Sequence, residues 1–298
     1  MLAGLHQITQ QSAPASGQPQ ASDPPSPPAP SWVPPSWPVP TPTGTGQPTR
    51  PAPTQQANPL PSTPPPAGAL TGFDTCTAPS LPVMKAWRAK YAAAAIYIGG
   101  QEMGCDYGNL TKSWVQAAEG MGWSLMPAFV GLQAPCNTFS DEIKPSQAAA
   151  EGQQAATQAV ADAASFGLGP GSPIYFDMEA YNENKASCVT AVLTFLDAWD
   201  RQLRASDYVS GVYSSAGSGV IDLQDNTSVG GHPLAEPQAI WFALWDNAVN
   251  LTGSPYMNSA VWSAAARSKQ FAGPRVVKIG GFSLNIDSDL VNSPVARR

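Results

Sequence analysis

The stretch Pro173-Ile174-Tyr175-Phe176-Asp177-Met178-Glu179-Ala180 is an apolar run that carries two acids two residues apart near its end. In an extended chain successive side chains alternate sides, so Tyr175, Asp177 and Glu179 share one face and Ile174, Phe176 and Met178 the other. A strand that is apolar on one face and acidic on the other suits a sheet whose outer face is covered by helices and whose inner face opens on a site. This strand is the reference point for the rest of the chain.

On both sides of it, short β-like runs alternate with helical patterns. Upstream, Thr71–Thr75, Ala95–Gly99 and Ser124–Gly131 read as strands, separated by helices over Ser80–Tyr91 and from Thr111 onward. A long Ala-rich helix starting near Ser146 leads into the fourth strand, Pro173–Ala180. Downstream, Ser187 opens the strongest helix, with Val189, Val192, Leu193, Leu196, Trp199 and Leu203 at i, i+3, i+4, i+7 spacing. Tyr208–Ser214 and Ile240–Trp245 are further strands, and Val276–Asp287 reads as two strands joined through Gly280-Gly281. Regular alternation of strand and helix predicts an α/β fold with a mainly parallel sheet. At this length the expectation is a TIM-like (β/α) barrel, incomplete where the late helices are weak.

The barrel does not need the whole chain. Twenty of the 32 prolines precede residue 70, in a Pro/Ser/Thr/Gln/Ala stretch whose charged side chains are Asp23 and Arg50. Such a segment buries too little apolar surface to offset its ordering entropy, so residues 1–69 are expected to form a disordered spacer and residues 70–298 the folded domain. Met1–Gln10 lacks the cationic start and apolar core of a signal peptide, and no run reaches the ~18 apolar residues of a membrane span. The net charge is −6 with 12% charged residues and no basic stripe, which argues against nucleic acid as a partner.

Cys76, Cys105, Cys136 and Cys188 contain no Cys-x-x-Cys pair, and the histidines are His6 and His232 alone, so neither a metal site nor a cofactor is expected. An even count of cysteines points to two disulfides and an oxidising compartment, with all three pairings open. Secretion or attachment to the cell envelope is the expectation that follows.

In barrels of this type the chemistry sits at the C-terminal ends of the strands. Asp177 and Glu179 lie there, Asp74 ends the first predicted strand, and Asp287 ends the last. Crowded carboxylates cannot all ionise easily: repulsion and desolvation leave one protonated beside an ionised partner, the arrangement glycosidic cleavage requires. Phe129, Tyr175, Tyr213, Trp241 and Trp245 lie at or near strand ends, where aromatic rings could receive the C–H faces of sugars; core packing is the competing reading. The chain has no Gly-x-Ser-x-Gly elbow, Walker loop or Gly-x-Gly-x-x-Gly.

Gly72-Phe73-Asp74, Ile96 to Gly100, Pro127 to Gln133, Ile174 to Tyr181, Gly211 to Ser215 and Ile240 to Trp245 occur in that order. Together they resemble the actinobacterial glycoside-hydrolase-like domain long filed as a domain of unknown function, itself similar to the family 25 lysozymes that cleave peptidoglycan. The resemblance covers about residues 70–290. It implies a TIM-like barrel, an acidic site of Asp74, Asp177, Glu179 and Asp287 with Glu179 as general acid, and a peptidoglycan or related polysaccharide substrate. The chain is expected to be a monomer. Two other readings remain open: a glycan-binding module that does not catalyse, and a structural envelope protein whose acids serve the fold.

Overall fold

The computed structural model describes residues 64–258 and 260–296. Residues 1–63 of the Pro-rich stretch, including His6, lie outside the described residues, and with them nearly all of the predicted spacer.

The elements run β1 (Leu70–Asp74), α1 (Leu81–Trp87), β2 (Ala93–Gly99), α2 (Lys112–Gly120), β3 (Ser124–Phe129), α3 (Ala148–Ser165), β4 (Pro173–Met178), α4 (Ala186–Ala205) and β5 (Val209–Ser215). A π-helical turn (Ala216–Val220) leads into α5 (Ile221–Asp225), a small ribbon of β6 (Ser228–Val229) and β7 (His232–Pro233), and then β8 (Ala239–Ala243), β9 (Arg267–Ile279) and β10 (Phe282–Val291). Eight strands close a barrel in the order β1-β10-β9-β8-β5-β4-β3-β2. Pairing is parallel from β1 through β2, β3, β4, β5 and β8 to β9, and β10 alone runs antiparallel to both its neighbours. The α/β barrel expected from the sequence is present and closed, with a reversed last strand.

Local chemistry accounts for the helices. Thr111 caps α2, its hydroxyl accepting from the Trp114 N–H at 3.1 Å. The apolar stripe of α4 buries Val192, Phe195, Leu196, Trp199 and Leu203 against the barrel, and α3 lays Ala155, Ala156, Ala159 and Ala163 in the same layer. Outward-facing Phe73, Ile96, Phe129, Ile174, Phe176, Val212 and Ile240 meet those helices in one apolar layer, while Ala95, Met126, Ala128, Tyr175, Tyr213 and Trp241 fill the barrel itself. The period-2 reading of β4 holds along its length, with Tyr175 inside and Ile174 and Phe176 outside.

The last third departs from the expected strand limits. The strand read as starting at Val276 begins at Arg267, and its partner continues past Asp287 to Val291. Two cations hid this strand. Among the described residues between β8 and β9 there is no α-helix, and carbonyls of this connection fold over the outer face of β9. Buried Arg267 donates to the carbonyls of Leu251, Val261 and Trp262. Buried Lys269 reaches Asp246 at 2.7 and 2.9 Å, the Ala248 carbonyl at 3.0 Å and Asn250 Oδ1 at 3.2 Å. Where a barrel helix would offer apolar side chains, this loop offers oxygen atoms, so cations are the complementary residues. The turn at Gly280-Gly281 is as expected, with φ of 58° and 87°.

Two disulfides close on the same end of the barrel. Cys76–Cys105 ties the connection after β1 to that after β2, and Cys136–Cys188 ties the connection after β3 to the start of α4. They close loops spanning 29 and 52 residues. In the chain-entropy account each contributes about 4 kcal/mol by restricting the unfolded chain. Reduction with a phosphine is therefore expected to lower Tm by at least about 10 °C, measured by near-UV circular dichroism with and without the reductant.

Candidate functional site: a carboxylate cluster at the barrel mouth

The C-terminal ends of the parallel strands and the first part of β10 meet at one mouth. Asp74 is the last residue of β1 and pairs in register with Asp287 on β10. Opposite Asp287, β9 inserts Gly273 and Pro274 as a bulge, since Ile286 pairs with Arg275 and Ser288 with Ala272. Proline cannot donate to the ladder, so the bulge falls where the sequence permits it, next to the site. Asp177 lies on β4 and Glu179 one residue beyond its end. Asp289, two residues past Asp287, projects into the barrel below it and pairs across from Gly72.

These five acids sense one another. Burial lifts the Asp177 carboxyl well above the usual range, and Glu179 and Asp74 lift it further. Burial, then the Asp74 charge, raises Glu179 to about 7. Burial, with Asp74 and Glu179, raises Asp287 to about 8, against a smaller opposing pull from Arg275. Asp74 is raised by burial while hydrogen bonds from Gln270 and Tyr97 pull it back. Asp289 is raised well above normal by burial and by Asp74. Buried Oδ1 of Asp177 has no hydrogen-bond partner among the described residues.

Donor-only groups set the polarity of the cluster. Trp245 Nε1 and the Tyr213 hydroxyl both donate to Gln270 Oε1, at 2.8 and 3.0 Å, which turns Gln270 Nε2 toward Asp74 Oδ2 at 2.9 Å. The Tyr97 hydroxyl lies 3.4 Å from the other Asp74 oxygen. Asp74 therefore stands as the acceptor. Trp241 Nε1 donates to Asp289 Oδ1 at 3.0 Å, while the other Asp289 oxygen is buried without a hydrogen-bond partner among the described residues.

The expected aromatics separate into four groups. Trp245 stands at the mouth, 57% exposed, its ring laid across Gly273, where a Cβ would come within 2.6 Å of it. Glycine there is what lets the indole lie flat on β9. Tyr213 and Trp241 form the floor, buried with ring centroids 4.6 Å apart. Tyr175 is inside the barrel, but its hydroxyl bonds Ser293 and the Pro294 carbonyl, both at 2.6 Å, which makes it part of the plug at the opposite end. Phe129 is not at the mouth: it faces outward in register with Phe176 and packs on Trp199. Asp289, Gln270 and Tyr97 belong to the site although the sequence did not single them out. Alternation from Asp287 would have found Asp289, whereas neutral Gln270 and Tyr97 carry no comparable signal.

Among the described residues no three His, Cys, Asp or Glu side chains converge as metal ligands, and no helix is long and apolar enough to cross a membrane.

A closed barrel with a buried carboxylate cluster at the mouth is the architecture of a glycoside-hydrolase-like domain. The chain belongs to the Rv2525c-like, glycoside hydrolase-like domain family, whose pattern matches residues 85–291. That span begins after β1, so Asp74 joins the site through the structure and not through the family match. Similar solved structures include an uncharacterized protein of B. stearothermophilus at 17% identity and TM-score 0.48, covering 74% of this chain and 94% of that one. The spore cortex lytic enzyme SleM of Clostridium perfringens follows at 14% and 0.48, with 76% and 68% covered. The modular autolysin LytC of Streptococcus pneumoniae matches at 13% and 0.47; 74% of this chain covers 46% of the autolysin. No curated protein matches the chain.

Proposed function

We propose that this protein is an exported glycoside hydrolase acting on peptidoglycan or a related polysaccharide, with Glu179 as the proton donor. The observation that carries the reading is the state of Glu179. Its carboxyl, raised to about 7 by burial and by Asp74, keeps a proton up to near-neutral pH beside Asp74, which accepts from Gln270. A glycosidic oxygen needs a proton to leave, and the positive charge that develops on the sugar needs a nearby anion. In this scheme Glu179 protonates the leaving oxygen, and ionised Asp74, held by Gln270, stabilises the developing charge. The Glu179 charge in turn raises Asp177 and Asp287. Family membership, with that family's likeness to the family 25 lysozymes, supports a glycan as the substrate class. Two disulfides support folding in an oxidising compartment. The Pro-rich residues 1–69 would then act as a spacer between the domain and its anchorage. The test is incubation of purified protein with peptidoglycan and common polysaccharides, with released fragments read by mass spectrometry.

Exposed Trp245 favours a second reading, in which the mouth binds glycan without cleaving it. Both readings make the indole a platform for a sugar ring. Trp245→Ala is expected to weaken retention on insoluble peptidoglycan by about tenfold, the loss of one well-packed stacking contact. Pull-down titration measures this, and unchanged retention would remove Trp245 from the groove. Retention without fragment release by the wild type would favour the binding reading.

A further inference from the structure

We propose that Gln133 is a positioning residue that holds Asp177 and Glu179 extended and on one side by pairing with β4 as a strand residue would. Its consequence for turnover, though not for geometry, rests on the hydrolase reading above.

The last main-chain pair between β3 and β4 is Phe129 with Phe176. Beyond it the edge of β4 facing β3 needs new partners, although β5 continues on the other edge as far as Met178. The Gln133 side chain supplies them. Fully buried, it donates from Nε2 to the Asp177 carbonyl at 2.8 Å and to the Gly131 carbonyl at 3.1 Å, and its Oε1 accepts from the Glu179 N–H at 2.9 Å. A residue in a parallel ladder bonds the carbonyl before and the N–H after the residue it faces. Asp177 and Glu179 flank Met178 in that way, so the carboxamide takes the place of a peptide group in a bridge to Met178.

The orientation of the amide is fixed by its partners, because an N–H can only donate and a carbonyl can only accept. The backbone of Gln133 is held by the same pattern: its N–H donates to the Asp141 carbonyl and its carbonyl accepts from the Ile143 N–H, both at 2.8 Å. The residue is therefore anchored on one side and pairs with β4 on the other. Among the described residues no pair with β3 continues beyond Phe176 on that edge. Extended backbone is what points the two carboxyls the same way. Without the amide, a buried carbonyl and N–H lose their partners and the segment carrying Glu179 is released toward solvent.

Two measurements on the full chain decide this. In the wild type, hydrogen exchange at the Glu179 amide should be as slow as in β4 although the residue lies outside the strand; exchange at the rate of an unstructured amide overturns the proposal. In Gln133→Leu, the Glu179 carboxyl, followed by carbon-13 NMR, should titrate at least about one pH unit lower as it gains solvent. A folded variant with the wild-type midpoint overturns the proposal too. If Gln133→Leu does not fold, the wild-type exchange rate decides alone. Turnover of any glycan the wild type cleaves should fall about 100-fold, the effect of a roughly 1 Å misplacement. If the wild type cleaves nothing, the hydrolase reading fails, while exchange and titration still decide the role of Gln133.

Discussion

Glu179→Gln is expected to reduce glycan turnover by about 1,000-fold or more while raising the melting temperature above pH 8. The kinetic half follows from the role of the proton: positioned general acids contribute roughly 10²–10⁴-fold, and an amide has no proton to give at that strength. Shape and hydrogen-bonding reach are retained, so glycan binding should change little. The stability half follows from the environment. Above pH 8 the wild-type glutamate carries a charge in a part-buried site beside Asp74, whereas glutamine is neutral at every pH. Sites assembled for chemistry are commonly less stable than their neutralised variants. Reducing-end release at neutral pH, with calorimetry at about pH 8.5, measures both halves. A fully active variant would remove Glu179 from the role of acid. Lost activity with a sharply lowered Tm would mean that the residue serves the fold.

Hydrophobic period and position along a strand carry different amounts of information in different parts of the chain. In β4 the apolar residues and the acids alternate without interruption, so alternation by itself puts Asp177 and Glu179 on one face. Phe129 shows the limit of reasoning from position along a strand. It is at the end of β3, as expected, but it stands in register with Phe176, and in-register neighbours of a sheet point to the same side. Phe176 faces the helices, so Phe129 does too. Asp289 is hidden for another reason: β10 runs opposite to the rest of the barrel, so the chain passes deeper into the barrel after Asp287 instead of ending at the mouth. Asp287 is part-way along that strand, not its terminus. Arg267 and Lys269 disguise the start of β9 because their partners are carbonyls and side chains of a loop 5 to 23 residues away, which no local pattern records. Gln133 and Gln270 illustrate the same limit in the site itself. An amide side chain becomes informative only once the chain around it supplies donors and acceptors in fixed places.

The mouth should also make the domain more stable in mild acid than in mild base, the reverse of a protein held together by ionised carboxylates. Glu179 and Asp287 have folded-state values of about 7 and about 8, above those of ordinary carboxyls. A group whose value rises on folding binds its proton more tightly in the native state. Its favourable contribution is complete below the unfolded value and disappears as pH climbs through the folded one. The window for these two groups therefore opens near pH 4 to 5 and closes near pH 8. A tenfold difference in proton affinity between the folded and unfolded states corresponds to about 1.4 kcal/mol. The two groups also act on each other, so the loss across the window is about 3 kcal/mol rather than the sum of two independent contributions. For a domain of this size that is about 6–12 °C in Tm between about pH 5 and about pH 9. Exposed acids add their own pH dependence, and Asp287→Asn separates the mouth from them. This variant should match the wild type at pH 5, where Asp287 is already protonated, and melt several degrees higher at pH 9, where the wild type has acquired a charge close to Asp74 and Glu179. Differential scanning calorimetry of both proteins at the two pH values decides it. Equal melting temperatures at pH 9 would mean that Asp287 ionises there without cost, and that the carboxylates at the mouth are better solvated than their burial implies.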